Sequence, residues 1–497
     1  MKRNYLPTET LPSWAKLNGI SVDGINFRKL RTEDGIDKGC AIVATEDRSN
    51  EQLSGTEEAN TEVLLRVPSD MVLSLQMVEN HAKSDRYLRE VLDAVGDFGR
   101  TARGAILIFL ILQITYSTPD FANEHHRIGL SNPWTEYVQY MPSSILLPTF
   151  YTSEERELLR GTSLKMAVDA KMASLEKEFE HFAESTEEIG WCQKHWWDEE
   201  TGKLTFHDWK YIDAVYRSRM VDLPRCGHAM VPCIDMANHA PEDTVKALYE
   251  EDTEGNAVLQ LRPGRGLHKD EEVTISYGAD KPASEMIFSY GFLEQERGSA
   301  KEILLDLEIP DDDPLKVAKN LFCKSAPGIR LSDAPGAETD STIWDSPLVW
   351  WICVNEEDGL DFEVLQTNDG DRELKATWRG EELKHPGDLN PLLSKDDRWE
   401  IFQLRAVVTI LDRLESQYYV LRETQIMVGE IKESEDMLAL FKSDVFRMIN
   451  SLRELEGKLL EKGIEYLVQQ RQNLITSDAV LAYLNQQQSD DVEEDFS

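Results

Sequence analysis

MVPCIDMANHA (residues 230–240), followed farther along by EEVTISYGADKPASEMIFSYGFLEQE (residues 271–296), carries the reading of this chain. In the first segment an apolar run breaks into a turn that crowds Asp235, Asn238 and His239 together. Short polar side chains in such a place either compete for backbone hydrogen bonds or cap a helix. An Asn-His pair satisfied in the core therefore remains an alternative to a ligand-binding pair. No second His or Cys stands at ligand spacing around His239, so a metal site is not expected. In the second segment Tyr277 and Tyr290 each precede a glycine, at the end of an expected strand and of an expected helix, Ala283 to Tyr290. Buried tyrosines with satisfied hydroxyls are ordinary core residues. The order and spacing of these segments together set them apart.

Two earlier segments join them. Gly39-Cys40-Ala41 precedes the apolar IVAT, and small residues there let a backbone approach a ligand closely. Arg219 ends the helical pattern from Phe206 to Met220, where its guanidinium can take a carboxylate through paired hydrogen bonds. Read singly, the first is an ordinary turn and the second a surface arginine.

Working outward, strand-like pieces run from Ile20 to about Pro68, including CAIVAT and EVLLRVP, with an acidic loop expected between Glu46 and Glu62. Helical spacing takes over in Asp85 to Val95, Thr101 to Thr115 and Ser153 to Phe182. Strand signals return in HAMVPCID, AVLQLRPG and EEVTISYG, and then in EILLDLEI ahead of a helix from Pro314 to Cys323. PLVWWICV reads as a further apolar strand inside a poorly patterned region. Long amphipathic helices fill Lys395 to Leu474, in RWEIFQLRAVVTILDRLESQYYVL and DMLALFKSDVFRMINSLRELEGKLL. The polar end NQQQSDDVEEDFS is expected to be a disordered tail.

The 497 residues exceed one compact core, so several packed units are expected. The excess of 92 acidic over 53 basic residues gives a net charge of −39, which repels phosphate backbones and anionic membranes and favours basic protein segments. Direct nucleic-acid binding and membrane attachment are not expected. The charge also reads simply as solvation of helix surfaces. Six cysteines form no CxxC pair, and neither a signal peptide nor a spanning segment is legible, which points to a cytoplasmic or nuclear location.

Taken together, VPCIDMANHA, ISYG and YGF, with NPWTEYVQYMPSSILLPTFYTSEERELLRGTSL in the helical stretch, resemble the SET-domain protein methyltransferases. The likeness is to the Rubisco large-subunit methyltransferase group, and runs from Trp14 to about Glu296. The resemblance implies an α+β fold, a SET-type β fold split by a helical insert and followed by a mainly α-helical C-terminal lobe. Its expected parts are 14–95 and 214–297 for the SET domain, 96–213 for the insert, 298–485 for the lobe and 486–497 for the tail. It implies S-adenosyl-L-methionine (AdoMet) as cofactor, held by Gly39, Cys40, Ala41, Arg219, Asp235, Asn238, His239 and Tyr277. Tyr277 is implied as catalytic together with Tyr290, and Tyr290 and Phe292 as walls of the substrate channel. The implied activity is methylation of a lysine in a non-histone protein, with a basic ribosomal or translation-related protein as the candidate substrate. Histidine methylation and a catalytically silent binding module are the alternatives. The sequence departs from the group's pattern at Ala41, where a glycine is usual, at Ala240, where a serine is, and at Ala283, where an asparagine is.

Overall fold

The computed structural model describes residues 1–31, 35, 37–49, 62–118, 129–198, 200, 203–278, 281–294, 297–324, 326–333, 344–366 and 372–485. Most of the acidic segment expected as a loop, and the expected tail beyond 485, lie outside the described residues. The chain divides into two compact units.

The first unit comprises Met1–Phe150, Val168–Asp280 and Ser289–Gly291. Its largest sheet is antiparallel, in the order β1 (Ser21–Val22), β5 (Val63–Val67), β9 (Ala257–Leu261), β8 (Ala247–Glu251). Around it lie the hairpins β2 (Ile25–Arg31) with β3 (Asp37–Ala44) and β6 (Met220–Leu223) with β7 (Gly227–Met230), and the pair β4 (Arg48–Ser49) with β10 (Gly266–Leu267). Sheet partners thus come from both sides of the helical stretch, as Arg66 facing Val258 in the ladder shows. The helix α1 (Ala102–Ser117) is apolar on every side, and Ala105 to Leu112 are fully buried. A helix without a polar face is stable only in a core, where each large apolar side chain contributes roughly 1.5–3 kcal/mol. Thr101 starts it by accepting from the Gly104 N–H at 2.9 Å.

The helix α2 (Phe206–Arg219) begins with a Thr205/Asp208 capping box. Its buried Asp213 collects Arg103 at 2.6 Å and Lys171 at 2.9 Å, so the carboxylate is compensated rather than stranded. Met220 turns to extended backbone, which fixes Arg219 at the helix C-terminus, a favourable end for a cation.

The second unit comprises Tyr151–Ala167, Lys281–Phe288 and Phe292–Ser497. The helix α3 (Ala283–Tyr290) starts in it. Two antiparallel three-stranded sheets follow, β11 (Glu302–Leu305), β12 (Ile329–Ser332), β13 (Trp344–Asp345), and β14 (Leu360–Gln366), β15 (Arg372–Trp378), β16 (Glu381–Leu383). Short helices α4 (Lys316–Phe322) and α5 (Pro347–Ile352) lie between these strands in sequence. The long helices α6 (Trp399–Glu433) and α8 (Ser443–Ile475), joined through α7 (Glu435–Leu438), bury Leu414, Leu421 and Val428 on one and Leu452, Leu459 and Leu467 on the other.

Several sequence readings change. PLVWWICV is the helix α5, because Ser346 accepts from the Val349 N–H at 3.2 Å and Pro347 occupies the first turn, a start signal stronger than the apolar run. The spacing from Ser153 to Phe182 belongs to two helices, Ser153–Glu157 and Ser163–Thr186, divided where Gly161 adopts φ 86°. A Cβ there would lie 2.6 Å from the Leu421 backbone, so only glycine allows this approach. DMLALFKSDVF likewise breaks between α7 and α8. EEVTISYG forms isolated bridges instead of a ladder, with Glu272 facing Val43 and Ile275 facing His239. Gly39-Cys40-Ala41 lies inside β3 rather than before it, opposite Leu30, Lys29 and Arg28.

Candidate functional site

The site in the first unit is built where three distant segments cross. The extended backbone after β10 runs beside β3, with Val273 N–H donating to the Ile42 carbonyl at 2.8 Å and Ala44 N–H to the Glu271 carbonyl at 2.9 Å. Two residues on, it meets the 234–240 turn: Ile275 N–H donates to the Asn238 carbonyl at 2.9 Å and Ala240 N–H to the Ile275 carbonyl at 3.1 Å. This crossing brings β3, the polar turn and Tyr277 to one place. The order of motifs in the sequence carries no trace of it.

Arg219 and Asp235 face each other at the centre. The Arg219 Nη1 donates to the Asp235 carboxylate at 3.1 Å and to the Asp235 carbonyl at 3.0 Å. The carboxylate side chain is 1% exposed. Its other oxygen accepts from the Tyr137 hydroxyl, whose oxygen in turn accepts from the Cys233 N–H at 2.8 Å. Cys233 takes φ 69°, a left-handed conformation unusual for a residue with a Cβ, and the bond to Tyr137 helps to hold it. Burial pushes the Asp235 carboxyl up, and Arg219 and Tyr137 pull it down.

Cys40, half-buried on β3, feels the charges of both Arg219 and Asp235, and burial pushes its thiol up to about 11. Alternation along β3 turns Ala41 to the opposite face, where it is fully buried. The added methyl relative to a glycine is therefore spent in the interior. Beside Cys40, a Cβ built on Gly39 would meet nothing within 4 Å.

Tyr277 donates its phenol proton to the Ala237 carbonyl at 2.8 Å, and burial raises its ionisation well above the usual tyrosine range. Its N–H donates to His239 Nδ1 at 3.0 Å, so a neutral His239 carries its proton on Nε2. Its ring lies 4.5 Å from that of Tyr290. Gly291, at φ 75°, follows, and a Cβ there would sit 3.1 Å from the Leu146 backbone. Asn238 donates to Glu272 at 2.7 Å, and Lys38 pairs with the same carboxylate.

Thus Cys40, Arg219, Asp235, Asn238, His239, Tyr277 and Tyr290 share one neighbourhood of the first unit. Phe292 and Ala283 belong to the second unit. Sequence reasoning missed Tyr137, the Ala237 carbonyl and Glu272. Tyr137 stands within NPWTEYVQY, but its partner Asp235 is remote in sequence, so only the fold pairs them. Among the described residues no group of three His, Cys, Asp or Glu is arranged to hold a metal, and no helix is long and apolar enough to cross a membrane.

No protein-family profile matches the chain. SET domain-containing protein 8 of Schizosaccharomyces pombe is 26% identical over 450 residues, which cover 88% of this chain and 93% of that protein. The chloroplastic [fructose-bisphosphate aldolase]-lysine N-methyltransferase of Arabidopsis thaliana is 26% identical over 36% of this chain and 37% of that protein. The actin-histidine N-methyltransferase of Gallus gallus is 22% identical over 71% of this chain and 54% of that protein. Among solved structures, the SET domain of LSMT bound to lysine and AdoHcy superposes with a TM-score of 0.60 at 15% identity, over 94% of this chain and 92% of that one. Rubisco LSMT bound to AdoMet gives a TM-score of 0.57 at 15% identity, over 94% and 93%. The chain is similar to these SET-domain proteins and has the fold of the SET-domain methyltransferases represented by Rubisco LSMT.

Proposed function

We propose that this protein transfers a methyl group from AdoMet to a side-chain nitrogen of another protein, and that the acceptor is a lysine of a non-histone protein. The observation that carries the reading is the Tyr277 phenol, anchored on the Ala237 carbonyl beside the Tyr290 ring and within the field of Arg219. With its proton committed to that carbonyl, the Tyr277 oxygen meets a polarised C–H donor as an acceptor.

The residues present suit AdoMet. Arg219 uses only Nη1 on its neighbours, which leaves Nε and Nη2 without partners among the described residues and available to a carboxylate. The open space beside Gly39 admits a ligand against β3. In this reading Cys40 and Asn238 line the cofactor, Asp235 fixes the orientation of Arg219, and His239 holds the backbone of Tyr277. When bound, AdoMet supplies an electrophilic methyl on a cationic sulfur. The chain's part is alignment, which requires acceptor and methyl about 3–3.5 Å apart and in line. Tyr277 and Tyr290 form adjacent aromatic walls that exclude water from the acceptor. A lysine, with an ordinary pKa of ~10.4, must lose its proton before it attacks, and an apolar wall beside a cation favours that loss.

The net charge of −39 suits a basic substrate, such as a ribosomal or translation-related protein. Histidine is the second reading, favoured by the likeness to the actin-histidine enzyme over 71% of this chain. The test is incubation of the purified protein with labelled AdoMet and cell extract, followed by mapping of the modified residue. Label on lysine supports the proposal, and label on histidine replaces the acceptor. No labelling, together with no heat of AdoMet binding by calorimetry, makes the protein a silent module.

A further inference from the structure

In the second unit, the end of α6 and the turn that follows it expose large apolar side chains where a soluble helical hairpin ordinarily carries polar ones. Ile426 is 69% exposed and Leu440 is 74% exposed, with Met427 and Met437 also on the surface. Tyr419, two helical turns before Ile426 and on the same face, is exposed as well. The opposite face of α6 is already occupied, since Leu421, Val428 and Ile431 are buried. The turn is held in place: Ser434 caps α7, accepting from the Met437 N–H, and the Lys442 N–H donates to the buried Glu155 at 3.1 Å. The apolar residues are therefore displayed by an ordered element.

The rim decides what covers them. Glu423, Glu430, Glu433, Glu435 and Asp436 are exposed around this stretch, against Arg422, Lys432 and Lys442 of opposite sign. An acidic rim repels an anionic membrane, and it repels a second copy of the same surface, since a two-fold contact would set carboxylates against carboxylates. An apolar stripe with basic flanks satisfies both parts, and an amphipathic helix supplies that pattern.

We propose that the α6–α7 tip is a docking surface for a basic amphipathic segment of a partner protein. The surface belongs to the second unit and the Arg219–Tyr277 site to the first, and the proposal holds whether or not methyl transfer does.

The probe is a fluorescein-labelled helical peptide of about 14 leucines and lysines with the leucines on one face, titrated with the full-length protein and followed by anisotropy. The double variant Ile426→Glu, Leu440→Glu is expected to weaken binding by about tenfold or more, because removing even part of two apolar contacts costs above 1.4 kcal/mol. Both side chains are exposed, so an unchanged circular dichroism spectrum is expected. The control Val317→Glu, Leu321→Glu, an equally exposed apolar pair on α4, is expected to leave binding within twofold. Equal weakening by both double variants overturns the proposal, because the peptide is then held only by overall charge and greasiness. Unchanged binding in the tip variant overturns it too, as does a sedimenting dimer of the unaltered protein that Ile426→Glu dissociates.

Discussion

Arg219 in the first unit and Arg453 in the second are both largely withdrawn from solvent, and they are compensated in opposite ways. Arg219 meets a carboxylate directly and spends one nitrogen on it. Arg453 spends all five of its N–H groups on neutral acceptors: the carbonyls of Leu158, Arg160 and Leu421, the Thr424 hydroxyl and the Gln425 amide. Glu456 lies one helical turn away on α8, yet it turns to the N–H of Ser163 at 2.8 Å and the hydroxyl of the same residue at 2.6 Å. Arg453 thereby closes the end of the helix Ser153–Glu157 and Glu456 opens the helix Ser163–Thr186, each charge matching the end it meets. Burial raises the Glu456 carboxyl to about 7 and lowers Arg453 to about 10. The contrast separates a cation that keeps donors in reserve from one fully consumed in joining chain segments.

The strongest challenge to this contrast is Arg453→Met. Deprived of donors, the carbonyls of Leu158, Arg160 and Leu421 face an apolar side chain, and the expected loss is about 3–5 kcal/mol in urea unfolding. A loss below ~1 kcal/mol would show that water or rearrangement replaces the guanidinium. At the other arginine, Tyr277→Phe is expected to lower the rate of methyl transfer to the mapped acceptor on the order of 10²-fold while AdoMet affinity stays within twofold. Arg219→Ala is expected to do the reverse, raising the AdoMet dissociation constant about tenfold. Equal effects of the two variants on both constants would erase the assigned division of labour.

The last effect concerns pH. The folded-state pKa of Glu456, at about 7, exceeds its ordinary 4.5. Its contribution to stability is then complete below pH ~4.5 and is lost as pH rises through ~7. Glu456→Gln carries no such titration. Its stability relative to the unaltered protein is expected to rise between pH 5 and 8, by on the order of 2 kcal/mol. A flat difference across that range would mean that the Ser163 donors hold the carboxylate ionised throughout.

How far the sequence disclosed these arrangements depends on the range of each interaction. Periodicity marks α1, α2, α6 and α8 well, because a helix writes its buried face into nearby residues. Ala283 to Tyr290 was legible to the residue. PLVWWICV misleads because a short apolar run suits strand and helix alike, and Ser346 with Pro347 decides the matter. The hairpin β14–β15 was unseen, since its outer half places Val364 and Leu365 on the surface without clean alternation. Candidate residues at the site were legible as motifs. Their mutual support was not, for Tyr137–Asp235 and Ile275–Asn238 join segments that only the crossing brings together.

The thiol on β3 has a chemical corollary. A sulfonium methyl donor alkylates any strong nucleophile beside it, and a cysteine anion reacts more readily than an amine. With Cys40 held near 11, only on the order of one molecule in 10⁴ carries that anion at neutral pH. In the proposed reading, where Cys40 lines the cofactor, the burial that raises its thiol keeps the protein from consuming its own reagent.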